Sequence, residues 1–209
     1  MAIVAFQEII DIIIMTAAIG FIFKDIFAPK QTIREDYDPL KHHKGPTGWQ
    51  KFKFAAAVTA PAIIFHEMGH KLVSMIYGLQ GTFHAAYTWL GIGLVLKIVG
   101  SPFLFVVPAY VSICEIPGTG MASRECLQIL AQRPLIGAAI AFAGPFVNLL
   151  MWLGAWYILK FHSKKLSNSW KLGLHYSKFI NLFLFFFNMI PLGMFDGAKV
   201  FSGLWQGLF

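Results

Sequence analysis

Four apolar runs, each long enough to cross a bilayer, constrain this chain more than any other feature: about Ile3 to Phe23, Phe54 to Tyr77, Pro134 to Leu159 and Leu172 to Ile190. About 20 helical residues at 1.5 Å each cover a hydrocarbon core roughly 30 Å thick. That much apolar length cannot all be buried in one water-exposed core of a 209-residue chain, of which 57% is hydrophobic and 13% charged. Ordinary soluble domains run nearer 45–50% and about 25%. The expected fold class is therefore an all-α polytopic membrane protein, a bundle of about 4–6 transmembrane helices with a short membrane-associated β or re-entrant segment.

The first run carries Glu8 and Asp11, lacks a basic leader and is followed by Phe27-Ala28-Pro29, so it reads as a retained span and not a cleaved signal. Residues 1–53 thus comprise a first transmembrane helix and a polar connection broken by Pro29, Pro39 and Gly45-Pro46. Residues 54–197 form a membrane core with spans at about 54–77, 134–159 and 172–190, and 198–209 an apolar tail. Within the core, residues 86–113 are apolar but interrupted by Lys97, Gly100-Ser101-Pro102 and Pro108. Their glycines and β-branched residues, as in Trp89 to Leu96, suit short strands or a re-entrant loop.

The formal charge of +7 comes largely from two connections, with seven basic residues between Lys24 and Lys53 and five between Lys160 and Lys178. These flank apolar runs and show no interleaving with aromatics, so they mark membrane edges and argue against a nucleic-acid partner. Cys114 and Cys126 are too few for a thiolate cluster or a disulfide framework and read as packing residues. His42, His43, His84, His162 and His175 read as loop or interface histidines.

Inside the second span stands His66-Glu67-Met68-Gly69-His70, an H-E-x-x-H pattern. Residues four apart share one helix face, so the two imidazoles can hold one metal ion while Glu67 stays near enough to take a proton from water. With 7 His among 209 residues, a chance match has odds of roughly one in 200. Its place in an apolar span adds weight, because each unpaired polar group there costs on the order of 2–3 kcal/mol and a bound metal offsets that cost. A hydrogen-bond network between helices is the alternative. A third ligand is needed, and Asp196 is the one carboxylate near the end of another span, in Asn188-Met-Ile-Pro191-Leu-Gly-Met-Phe-Asp196-Gly197. Alone it would read as a turn aspartate at a membrane surface; beside an intramembrane histidine pair it reads as a ligand.

His66-Glu67-x-x-His70, then Ala143-Gly144-Pro145-Phe146-Val147-Asn148, then Asn188-x-x-Pro191-x-x-x-x-Asp196-Gly197 resemble, in that order, the three motifs of the site-2 protease family of intramembrane zinc metalloproteases. The resemblance covers roughly Phe54 to Gly197. It implies one Zn²⁺ ion bound by His66, His70 and Asp196, with Glu67 as general base, and a transmembrane protein or peptide as substrate. It further implies that Asn148 and Asn188 hold substrate near the metal, although helix-packing amides are an alternative for each. Phe195 departs from the leucine usual before the zinc aspartate, and no stretch accommodates the PDZ or CBS domain of many members. In the family, a β-structured segment at the place of 86–113 is thought to offer an edge to extended substrate.

The expected activity is thus regulated intramembrane proteolysis by an integral, multi-pass protein of the cell membrane; the alternative is a non-proteolytic membrane protein with a structural metal site. A metal transporter would need a track of ionisable residues, which His84, Lys97, Glu115 and His175 do not form. Orientation is drawn two ways. The positive-inside rule puts both basic connections in the cytosol, whereas the family resemblance puts the metal, Tyr77 and the 86–113 segment on that side, and the family orientation is the one expected.

Overall fold

The computed structural model describes residues 4–27, 46–102, 106–116, 119 and 121–209. In chain order these form α1 (Phe6–Phe23), α2 (Gly48–Ile76), β1 (Gly81–Ala85), α3 (Tyr87–Ile98), β2 (Ala109–Ile113), α4 (Arg124–Gln132), α5 (Pro134–Phe161), a 3₁₀ turn (Ser163–Lys165), α6 (Asn168–Asn188) and α7 (Asp196–Leu208). The fold is mostly helical with one two-stranded sheet. By length and composition, α1 and α5 are long and apolar enough to cross a membrane. The polar connection expected after α1 lies largely outside the described residues, as do His42 and His43.

Local chemistry sets the helix ends. At the start of α2 the Thr47 hydroxyl accepts from Gln50 N–H at 3.3 Å while the Gln50 side chain accepts from Thr47 N–H at 2.9 Å, a reciprocal cap that begins the helix at Gly48 and not at Phe54 as expected. Gly78, at φ +73°, closes it in a left-handed conformation that costs a glycine little. Pro134 opens α5 at a position where its missing N–H is no loss. Residues 198–209, expected as an apolar tail, belong mainly to α7, which packs on the start of α5: Gly203 lies so close that a Cβ there would stand 2.7 Å from the Pro134 carbonyl.

The 86–113 stretch contains one helix, α3, and one strand, β2. β1 pairs antiparallel with β2, with Gly81 opposite Ile113 and Ala85 opposite Ala109. Between them lies α3, and Val106 and Ile22 both close on its Gly93. Trp89 to Leu96, expected as short strands or a re-entrant loop, is helical. Burial of Leu90 and Gly93 against α1 outweighs the weak local preference of glycine and β-branched residues. Met15 and Ile19 of α1, Ala60 and Ile63 of α2, Phe83 of β1 and Leu90 of α3 make up the core.

Two acids of α1 hold the sheet against the helices. Glu8 takes an ion pair from Lys71 and accepts from the N–H groups of Phe83 at 2.7 Å and Ala5 at 2.6 Å. Asp11 accepts from Ala85 N–H at 3.1 Å and from the Tyr87 hydroxyl at 2.6 Å. One edge of β1 is therefore covered by carboxylates and the other by β2, while His84 pairs with Glu115 at 2.5 Å.

The molecule has two chemically different ends. Asp25, just past α1, meets Lys97 at the end of α3 at 2.8 Å and Lys51 near the start of α2 at 3.8 Å. Tyr176 of α6 touches Phe54 and Phe27 there, so the α5–α6 junction with its lysines shares this basic end. The sheet and α4 occupy the other end, where Cys114 and Cys126 are joined in a disulfide with Cα atoms 5.4 Å apart. That corrects their expected role as packing residues: the turn after β2 brings α4 back beside it, a tertiary approach that a separation of 12 residues does not reveal.

Candidate metal centre

His66 and His70 sit one turn apart on the buried face of α2. The Nδ1–H of His66 donates to Asn148 Oδ1 at 2.6 Å, and the Nδ1–H of His70 donates to the Ile140 carbonyl at 2.8 Å. The Asn148 amide is itself oriented, because its Nδ2 donates to the Ala62 carbonyl at 3.0 Å and to Asn181 Oδ1 at 2.8 Å, leaving Oδ1 toward the ring. With Nδ1 protonated on both rings, each Nε2 presents a lone pair. The two Nε2 atoms face each other at 3.1 Å, and Asp196 Oδ2 stands 3.2 Å from each.

Three electron-pair donors thus converge in a partly buried triangle, an arrangement that calls for a cation. For tetrahedral zinc with ligands at about 2.0–2.1 Å, ligand atoms should lie about 3.3 Å apart, close to what is found. The residues fit the ion. Each histidine's second nitrogen is held by a neighbouring acceptor, the usual support of a metal-binding imidazole.

Backbone close approach makes room for this triangle. A Cβ at Gly144 would stand 2.4 Å from His70 Nε2, so α5 can lie against the histidines only with glycine there. Asp196 arrives from α7 through a tight turn after α6, where a Cβ at Gly197 would meet the Met189 carbonyl at 2.3 Å. Pro191 prevents α6 from continuing, and α7 begins at Asp196. Phe195, just before the aspartate, stacks edge-on against Phe187 at 4.8 Å.

His66, Glu67, His70 and Asp196 line one cavity of about 400 Å³. Asn188 lines it too, but Asn148 does not: it is fully buried behind His66. Of the two asparagines expected near substrate, only Asn188 stands where substrate could reach it. Lys199, also in the lining and one turn along α7 from Asp196, escaped the sequence reading, although spacing i, i+3 on a helix beginning at the aspartate was its signal. The far wall is β2, through Ala109, Tyr110, Val111 and Ile113, with Val107 just before it. Cys114 N–H donates to Gln80 and Pro108 C=O accepts from Ala86, so even-numbered residues point their main-chain groups at β1. Alternation leaves the N–H and C=O groups of Ala109, Val111 and Ile113 on the outer edge, facing away from β1.

No family model and no solved structure matches the chain. A protein of Methanocaldococcus jannaschii with the provisional name zinc metalloprotease MJ0611 is 31% identical over 201 residues, an alignment covering 93% of this chain and 83% of the relative. The chain belongs to this zinc metalloprotease family. In a member of such a family the triangle of His66, His70 and Asp196 is a donor set that suits a zinc ion.

Proposed function

We propose that the protein is an intramembrane zinc endopeptidase that cleaves transmembrane segments of other membrane proteins. The observation that carries this reading is the donor triangle of His66, His70 and Asp196 beside Glu67 in a cavity walled by a strand edge that is unpaired among the described residues. A purely structural zinc site would be closed by four protein ligands, whereas the described residues bring together three, at an open cleft.

A bound zinc supplies Lewis acidity, polarising a scissile carbonyl and making water acidic enough to be deprotonated near neutral pH. Glu67 takes the proton from the attacking water as its oxygen bonds to the carbonyl carbon, and returns that proton to the amine as the C–N bond breaks. Asn148 and the Ile140 carbonyl keep both imidazoles turned with Nε2 inward. A transmembrane helix hides its amides in its own hydrogen bonds, so substrate must unwind to be cut. The outer edge of β2 offers the unwound segment main-chain partners at Ala109, Val111 and Ile113, with Asn188 across the cleft.

The multi-pass reading draws support from the outer faces of the helices. Phe179, Phe183 and Phe186 form an exposed stripe on α6, and Leu150, Leu153 and Tyr157 do so on α5; apolar surface of that extent suits lipid. Sidedness follows from charge and redox chemistry together. The basic end suits the cytosol and the disulfide end an oxidising compartment, so the cleft opens away from the cytosol, opposite to the orientation drawn from the family.

Reconstituted with zinc and a single-span substrate carrying helix-breaking residues, the protein is expected to cut within the span. Glu67→Gln should keep one zinc per chain and lose about 10²–10⁴-fold in rate. Undiminished cleavage by that variant would overturn the reading.

A further inference from the structure

The basic end carries a groove that proteolysis does not use. It lies between the last turns of α5 and the first turns of α6, has a volume of about 340 Å³, and is lined by Trp156, Lys160, Ser163, Lys171, His175 and Lys178. Lys171, His175 and Lys178 follow an i, i+4, i+7 spacing, so they share one face of α6. Lys160 is sixteen residues beyond Gly144 on α5, which puts the groove roughly 24 Å from the metal centre along the helix.

Two properties set it apart from an ordinary solvated basic loop. The sequence contains no acidic residue between Glu125 and Asp196, and among the described residues Lys160, Lys171 and Lys178 form no ion pair with a carboxylate. Yet Lys171 and Lys178 are half-buried, and Lys178 lies near the middle of α6, where an ammonium in hydrocarbon is costly without a partner. Lys160 rests its ammonium over the Trp156 ring, 4.8 Å from the centroid. Tryptophan beside lysine is the pairing found at the headgroup level of bilayers. The Ser163 hydroxyl adds a neutral donor, and Leu159 continues an apolar wall.

We infer that this groove binds the phosphate-bearing headgroup of an anionic membrane lipid, with Lys160, Lys171 and Lys178 as its counter-charges and Trp156 and Leu159 against the upper acyl chain. Three ammonium groups with no carboxylate paired to them among the described residues call for a multiply accepting anion, and basic pockets between spans at the cytoplasmic side are where anionic headgroups lodge. The apolar wall selects a lipid over free phosphate. The inference rests on the membrane reading above but not on proteolysis, since the groove and the metal centre are at opposite ends.

The test uses the full chain, delipidated in neutral detergent, titrated with phosphatidylglycerol, phosphatidylcholine or inorganic phosphate and followed by native mass spectrometry and thermal unfolding. One phosphatidylglycerol per chain should be retained and should raise the unfolding midpoint, while the other two leave it unmoved. The combined variant Lys160→Gln, Lys171→Gln and Lys178→Gln should bind that lipid on the order of 100-fold more weakly and still take one zinc. If the triple variant does not fold, Lys171→Gln alone should weaken binding on the order of fivefold, and added salt should weaken it in the wild type. Equal retention of the two lipids, equal effects of inorganic phosphate, or variants that bind as wild type would each overturn the assignment. Release of the chain from membranes by alkaline carbonate would instead strike at the membrane reading itself.

Discussion

Lys71 and His70 are neighbours in sequence, but they point into two buried polar clusters of opposite character. Around Lys71 every charge is answered by the protein: the ammonium meets Glu8, Glu8 also accepts from Phe83 and Ala5, and Asp11 is filled by Ala85 and Tyr87. Around His70 the lone pairs of two imidazoles and a carboxylate converge with no donor between them. A satisfied cluster holds structure in place, here the sheet against α1, and needs nothing from outside. A donor-poor cluster is complete only with a cation. His66 and His70 are nearly as buried as Glu8, Asp11 and Lys71, and Asp196 is partly open to the cleft, so the balance of donors to acceptors, more than burial, separates scaffold from site.

The largest expected effect comes from removing the cation or a ligand. Chelation, or His70→Ala, should abolish cleavage while the satisfied cluster keeps the fold. Returning zinc to the stripped wild type should stabilise it by about 4 kcal/mol at a thousandfold excess over the dissociation constant, read as a raised unfolding midpoint, and should do nothing for His70→Ala. A zinc-dependent midpoint in that variant would erase the distinction between the clusters.

Next comes the satisfied cluster. Lys71→Met leaves Glu8 buried without its cation and should cost about 3–5 kcal/mol in chemical denaturation. Adding Glu8→Gln should recover about half of that or more, because the uncompensated charge is gone. Zinc should still bind at one per chain in both. If the double variant is as unstable as the single, the pair is not a self-contained structural unit.

Asn148 joins the donor-poor cluster to the scaffold, and its loss should be smaller still. Asn148→Ala releases His66 Nδ1 and the ring's orientation, so zinc affinity should fall about 10–100-fold, measured by competition with a chelating dye. A substrate-contacting asparagine would raise KM and leave zinc affinity alone.

The contrast was only half legible in the sequence. His66, Glu67 and His70 declare themselves because ligand spacing is local to one helix, and Asp196 because it is an isolated carboxylate beside a helix break. Gly144 was visible as part of the Ala143-Gly144-Pro145-Phe146-Val147-Asn148 motif, but not as the opening that lets α5 approach the imidazoles. Glu8 and Asp11 stood out as charges in an apolar run, yet their role needs α1 to dock along β1, which no local pattern encodes. The Cys114–Cys126 bond and the helical state of Trp89 to Leu96 were missed for the same reason: each depends on which distant segment packs alongside.

The smallest effect belongs to an ion pair at the opposite end, which tests whether burial gives the Lys71 cluster its weight. Asp25 is about half exposed, and the hydrogen bond from Lys97, helped by the nearby charges of Lys24 and Lys51, holds its carboxyl below the usual carboxylate value. A depressed folded-state pKa means that the pair contributes stability above the unfolded value of about 3.9 and loses it as pH falls through the lower folded value. Solvent screening keeps that contribution under about 1 kcal/mol. Asp25→Asn should therefore be slightly less stable than wild type at pH 6, and the gap should close on acidification toward pH 2, whereas the gap for Lys71→Met stays several times larger at neutral pH. Comparing each variant with wild type at the same pH cancels the protonation of the metal ligands common to both. A difference at pH 6 as large as that for Lys71→Met would show that exposure, and with it the distinction between buried and surface pairs, does not set the energetics here.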